Sequence, residues 1–424
     1  MIHNRIVGLS AAVLALVSAL PAFGQGSADE ARQLAEKAQE LAKDEKFAEA
    51  AETMARALWL DPRNDQLLGR ASLYEFKAGK FAEGLRHALE AVRLNDKVPA
   101  YQVLVAYNAV AEQDLELGRD YTERVLKRGE AQVGAEVFNE ARRLHDLIVR
   151  TTYTLFWNLD PRKGQLTGGA LAVALPKGEL PYQKVTFEIS GARSYRVVKG
   201  EVNDILYVVP EGGRTIKLTT KVIIEPYTYK KELEKASSKP LPPEALLFLG
   251  AGDAIDPRSP ALAKIAAKLR ASDSVTTARN IIAWMNKNVE YKLKKNASLE
   301  PDFRSVDELL KRGHAECRGY AMLFTALCRA AGVPARPIWG LKRVPPAQDK
   351  RFGDITSHNW AEFYVAGVGW IPVDPQRPES LGFLSTNCIR VFMDAKKTRF
   401  SQEALPMLNL AFMNGDKVRF EELR

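Results

Sequence analysis

The feature that most limits how this chain can fold is a period of 34 residues in its first third. Lys46-Phe47-Ala48-Glu49 returns as Lys80-Phe81-Ala82-Glu83, and Ala57-Leu58-Trp59-Leu60-Asp61 returns as Ala91-Val92-Arg93-Leu94-Asn95. A third, degenerate copy sets Leu115 in register with Phe81 and Val125-Leu126 with Ala91-Val92. A period of this length gives one helix pair per copy. Each pair carries an apolar stripe it cannot bury alone, so neighbours stack and leave a concave face open. Residues 28–150 are therefore expected to be helical repeats plus a connecting helix, in which Val133, Val137, Ala141, Leu144 and Ile148 recur at spacings of three or four. The concave face reads either as a docking surface for a protein partner or as a structural spacer.

The whole chain, at 424 residues, is too long for one ordinary domain, and its 46% hydrophobic and 27% charged content is that of a globular protein. Residues 1–24 have the pattern of a secretory signal: Arg5, a short apolar run from Ile6 to Leu20, and small residues at Ala22 and Gly24. A membrane anchor is the alternative, but the run falls short of the roughly 20 residues that span a bilayer. The expectation is an exported, periplasmic or otherwise extracytoplasmic protein with no transmembrane segment in the mature chain. Net charge is +9, or +8 without Arg5, and it is dispersed, which argues against a nucleic-acid partner. Three cysteines are an odd number for an oxidising compartment, so at least one thiol is left over.

After Thr151 the character changes to short β-rich runs: Thr151–Phe156, Val185–Ile189, Tyr195–Val198, Ile205–Val209 and Ile216–Ile224. Turns such as Glu211-Gly212-Gly213 separate them, so residues 151–230 are expected to form an antiparallel β-sandwich. Residues 231–244, charged and proline-bearing, read as a linker. The remainder, 245–424, opens with helices: Ser259 as N-cap with Pro260 behind it, a helix ending near Asn288, and a capping box at Ser305–Glu308 with Gly313 as its stop.

Cys317 opens the next helix, in which Tyr320, Phe324, Leu327 and Ala331 share a face and Gly332 and Pro334 end it. A Cys in a first turn feels the positive helix end, which favours thiolate. His358 lies on an alternating strand with Trp360, Glu362 and Tyr364, and Asp374 ends the strand that follows a turn at Ala366–Gly369. The midpoint of 358 and 374 is 366, inside that turn, so the hairpin is expected to set the imidazole and carboxylate nearly opposite each other. In that arrangement Asp374 would accept the Nδ1 proton of His358, His358 would take the Cys317 proton, and the thiolate would attack an amide carbonyl to form a thioester. The backbone N–H of Cys317 is the natural first oxyanion donor.

These residues carry a family resemblance. Gly313, Cys317, Tyr320-Ala321 and Phe324, then Leu327–Arg336, His358-Asn359-Trp360-Ala361-Glu362 and Gly369–Pro375, resemble the bacterial transglutaminase-like superfamily. The resemblance implies a papain-like core with a Cys317-His358-Asp374 triad, acting by acyl transfer to an amine or by amide or peptide hydrolysis on a protein or peptide substrate. It assigns no metal or cofactor. The family's second oxyanion donor is an upstream side chain, for which Tyr291 is the choice, with Trp284 a packing residue. The repeats similarly resemble tetratricopeptide repeats. The expected architecture is multidomain α+β: tetratricopeptide-like repeats, a middle antiparallel β-sandwich and a C-terminal papain-like transglutaminase core. A silent core serving as scaffold, with repeats that bind an envelope protein, is the alternative. Cys328 either pairs with Cys388 or both are buried thiols. Arg336 is read as structural, and His314 as an exposed loop residue or one that borders the cleft.

Overall fold

The computed structural model describes residues 27–162, 166–200, 203–234, 240–252, 254–292, 303–343, 355–393 and 420–423. The leader at 1–24 lies outside them. No helix among the described residues is long and apolar enough to cross a membrane. The chain divides into two compact units, Met1–Val149 and Arg150–Arg424.

The first unit is built of antiparallel helix pairs: α1 (Ser27–Lys43), α2 (Phe47–Leu60), α3 (Asp65–Lys77), α4 (Phe81–Leu94), α5 (Pro99–Ala111), α6 (Leu115–Arg128) and α7 (Ala135–His145). The repeated Lys-Phe-Ala-Glu motif marks the start of α2 and of α4. Stacking is close because the packing positions are small: a Cβ at Gly69 would lie 2.5 Å from the Tyr101 ring and one at Gly84 2.3 Å from Asn108. Polar groups that cross between copies are paired, as in Tyr101 to Asp65 at 3.2 Å and Asn108 to Ser72 at 3.1 Å. The connecting helix is broken where the sequence pattern reads as continuous. Gly134, at φ +85°, separates a single turn at Glu130–Val133 from α7.

The second unit starts with a β-sandwich. Its strands are β1 (Thr151–Leu159), β2 (Leu166–Thr167), β3 (Ala170–Leu175), β4 (Gln183–Ser190), β5 (Ala192–Lys199), β6 (Asp204–Pro210) and β7 (Ile216–Ile224). One sheet has the order β2-β3-β6-β5. The other is β1, β7 and β4 with a late strand, β14 (Phe420–Leu423), on its edge. β3 reads Ala-Leu-Ala-Val-Ala-Leu, and all but its first residue are buried. It has no polar alternation, which is why the period-two pattern does not reveal it.

Helices α8 (Pro260–Leu269) and α9 (Ser274–Asn288) lead to β8 (Glu290–Tyr291), α10 (Val306–Arg312), β9 (His314–Ala315) and α11 (Cys317–Ala330). Then come β10 (Ala335–Arg343), β11 (Ile355–Val365), β12 (Gly369–Val373) and β13 (Cys388–Met393), an antiparallel sheet of order β12-β11-β10-β13. Half of the capping box forms: Ser305 Oγ accepts from Glu308 N at 3.4 Å, while Glu308 accepts at 2.9 Å from Arg304 N, one residue before the cap. Ser259 does not cap α8 with its side chain; its hydroxyl donates to Asp307 Oδ1 at 2.6 Å and ties α8 to α10 instead.

Sandwich and sheet share a core, since Trp339, Leu341, Ile389 and Val391 pack with the sandwich interior. Gln183 both donates to Arg390 O and accepts from Arg390 N, each at 2.8 Å, and Tyr153 Oη donates to Thr386 O at 2.8 Å. The β12-β11-β10-β13 sheet is therefore fixed to the sandwich by backbone as well as by apolar area. On β11, Glu362 accepts from Arg336 at 2.8 Å and from Arg390 at 2.9 Å, with all three side chains nearly inaccessible to solvent. Arg336 also lies 3.8 Å from the centre of the Trp370 ring, so it is structural as expected.

Candidate active site

Gly313 ends α10 in the left-handed conformation, φ +68°, and turns the chain into β9. β9 runs parallel to β8, with Tyr291 beside Ala315. Two residues later Cys317 begins α11. Its N-cap, Glu316, makes no capping side-chain bond, so the first-turn N–H groups remain directed at the thiol side of the helix start. Gly319 lets that first turn lie on β9, since a Cβ there would be 2.7 Å from the Ala315 methyl.

α11 packs against β10 and β11, with Phe324 and Phe363 edge-on at 6.2 Å. This brings the half-buried Cys317 thiol to the residue next to His358, because Sγ accepts from the backbone N–H of Asn359 and of Arg318. His358 Nε2 lies 2.9 Å from Asp374 Oδ2, and both side chains are buried. The bond is made through Nε2, whereas the sequence reading gave it to Nδ1. The two residues are also not directly opposite. Ala361 faces Val373, so Asp374, one residue past β12, is level with Trp360, and His358 lies two further along. The loop closes between Val365 and Gly369, centred on Gly367 at φ +80° rather than on Ala366. A diagonal pair still meets because the imidazole reaches along the strand.

The carboxylate is held from behind. Asp374 N donates to Ser380 Oγ at 2.8 Å, Gln376 N donates to Asp374 Oδ1 at 3.3 Å, and Arg377 Nε lies 3.9 Å from Oδ2. Burial works to raise Asp374, but the charge and hydrogen bond of His358, with Arg377 and Lys342, hold it well below the usual carboxylate range. Burial and the neighbouring Lys342 lower His358, and Asp374 only partly offsets them. Burial, then Glu316, push the Cys317 thiol up to about 12, against the pull of the two N–H groups. Burial thus works against charge on both the thiol and the imidazole. A thiolate favoured by the helix end is not what the surroundings give, because burial outweighs one turn of backbone dipole.

Cys328 and Cys388 are both free and buried, so the paired alternative is not taken up. Tyr291, half-buried, packs edge-on to Tyr320 at 5.8 Å from the strand paired with β9. His314 is half-buried in β9, with Nδ1 3.0 Å from Arg312 O. Trp284 packs on the core around α11. Lys342, Arg377, Glu379 and Ser380 are the neighbours that the sequence pattern does not single out. Only strand register puts Lys342 near His358; the turn after Asp374 could have suggested the other three.

Residues 263–375 match the family model described as the transglutaminase-like superfamily. An uncharacterised protein of Haemophilus influenzae is 32% identical over 108 residues, which are 22% of this chain and 28% of that protein's length. Among solved structures, a Cytophaga hutchinsonii protein assigned to the cysteine proteases is similar at TM-score 0.39 and 16% identity, covering 65% of this chain and 87% of that one. The first tetratricopeptide domain of human RPAP3 is similar at TM-score 0.25 and 28% identity, covering 27% of this chain and 88% of that one. Behind its helical repeats and β-sandwich, this chain carries a transglutaminase-like domain over residues 263–375.

Proposed function

We propose that the chain is an exported thiol enzyme that attacks amide or peptide bonds through Cys317. His358 takes the thiol proton at Nδ1 as Sγ bonds to the carbonyl carbon, and Asp374 holds the ring through Nε2 and stabilises the imidazolium. The C–N bond then breaks, the leaving amine takes that proton, and a thioester remains. Water or a second amine, deprotonated by His358, releases the acyl group; the two outcomes differ only in the acceptor. The backbone N–H of Cys317 is one oxyanion donor and Tyr291 the candidate for the second. The observation that carries this reading is the buried 2.9 Å pair of His358 and Asp374 beside a thiol at a helix start.

The raised thiol favours the second reading, a silent core whose repeats bind a protein partner. One test separates them. p-Nitrophenyl acetate should acetylate Cys317 in a burst of one group per chain, located by peptide mass mapping, and His358→Ala should abolish the burst. Acetylation elsewhere, or an equal burst without His358, sinks the enzyme reading.

A further inference from the structure

Two cations stand beside the candidate site with one ionised partner between them. Lys342 is on β10, two residues beyond Gly340, and Gly340 is directly across from His358. Alternation puts Lys342 on the sheet face of His358, about 7 Å further along at two strand residues. On its other side Lys342 is directly across from Cys388. Arg377 reaches the same place from the turn after β12, where its N–H donates to Asp374 O at 2.8 Å and its Nε lies 3.9 Å from Asp374 Oδ2. That carboxylate is already taken by His358. Lys342 is half-buried, its backbone lies in the β10 ladder, and its ammonium is in no ion pair among the described residues. Burial, then Arg377, lower its ammonium from the ordinary lysine value, and Cys388, Asp374 and Cys317 work in the opposite direction. Glu379, the next acid in this turn, is raised to about 7 by burial, so it supplies little charge below neutrality. Two like charges near one another and partly removed from water are stabilised by an anion that bridges them.

We infer that Lys342 and Arg377 form a subsite for a carboxylate of the substrate, so that the preferred acyl donor carries an acidic group next to the amide that Cys317 attacks. The inference rests on the proposed thiol chemistry for its purpose, but the subsite can be tested apart from it. Specificity, rather than the chemical step, is the role assigned to both residues. Glu316, beside the thiol, and Asp374, already held by His358, oppose an anion, so the subsite lies on the Lys342 and Arg377 side of the thiol.

The test compares iodoacetate, an anion, with iodoacetamide, its neutral counterpart. Both alkylate a thiol in one step: the S–C bond forms as the C–I bond breaks, and iodide leaves with the electron pair. The quantity read is the ratio of the two rates at Cys317 by peptide mass mapping, divided by the same ratio for free cysteine. It should exceed one in the wild type, fall about tenfold in Lys342→Met as one nearby charge is lost, fall again with Arg377→Gln, and be kept by Lys342→Arg. It should also collapse toward one in 1 M NaCl, which needs no variant to fold. A wild-type ratio equal to that of free cysteine, or one unchanged in Lys342→Met, overturns the subsite. Loss of iodoacetamide reactivity in both variants with the ratio intact also overturns it, and assigns Lys342 to the thiolate. If iodoacetamide labels wild type and His358→Ala equally fast, the enzyme reading falls while the ratio still reports on the subsite.

Discussion

Glu362→Gln separates charge from shape in the cluster that holds β11. Glu362 is the one carboxylate between two buried guanidiniums, at 2.8 and 2.9 Å, and it lies four residues from His358 on β11. The amide has the same volume, so no cavity forms. What changes is that Arg336 and Arg390 keep their charges without a counter-charge, and removing one partner of a buried pair costs about 3–5 kcal/mol. For a unit of this size that corresponds to a fall in Tm on the order of 10 °C. Arg336→Met is the contrasting change. It leaves the Glu362–Arg390 pair matched one to one and loses the 2.8 Å bond to Glu362 with the stacking on Trp370, so about 1–3 kcal/mol is expected. Calorimetry of the full chain, following the transition of the second unit, measures both. If Glu362→Gln costs less than Arg336→Met, the cluster is not held together by its charge balance and the reasoning fails.

Glu379 is 9% exposed, neither of its oxygens has a donor among the described residues, and burial raises it from 4.5 to about 7. A raised carboxyl contributes stability that is complete below its unfolded value and is lost as pH rises through 7. Glu379→Gln should therefore raise the Tm at pH 8, by roughly 1–3 kcal/mol of stability, and have little effect at pH 4.5; an equal effect at both values refutes it. Gly340→Ala would set a Cβ 2.2 Å from Ile389 O and 2.3 Å from the Trp360 ring, backbone and a fully buried side chain that cannot yield. It should cost about 3 kcal/mol or more in urea unfolding, and a neutral result means that β10 and β13 do not pair as described. Asp374→Asn should leave the fold intact by circular dichroism while slowing Cys317 acetylation by about 10²–10⁴-fold through loss of the ring's orientation. An unaffected rate removes Asp374 from the mechanism.

The repeat period, the thiol at a helix start and the hairpin carrying His358 and Asp374 were all legible in the sequence, because each rests on local spacing. What was not legible depends on neighbours distant in sequence. β3 is buried on both faces and so carries no alternation, and β14 joins β1 from the far end of the chain. Taking the midpoint of 358 and 374 as the turn's centre missed that centre by one residue, and the pairing by two, because the loop is centred on the positive-φ Gly367. That placed His358 and Asp374 level rather than diagonal. The nitrogen facing Asp374 depends on how the ring enters the site, which no spacing encodes. Nor does spacing encode burial, the cause that keeps the Cys317 proton in place against the helix end.

The central claim is that His358 activates Cys317, and the rate of Cys317 carbamidomethylation against pH tests it most directly, with peptide mapping to exclude the buried Cys328 and Cys388. Burial and Lys342 hold His358 below its ordinary value near 6.5. The wild-type rate should therefore rise through an acid limb below 6.5, hold a plateau across neutrality, and rise again only toward the thiol's own value of about 12. His358→Ala should abolish the plateau and leave the upper rise, slowing the reaction at pH 7 by about 100-fold or more. Superimposable profiles would contradict the claim and make the repeats, not the thiol, the place where this protein acts.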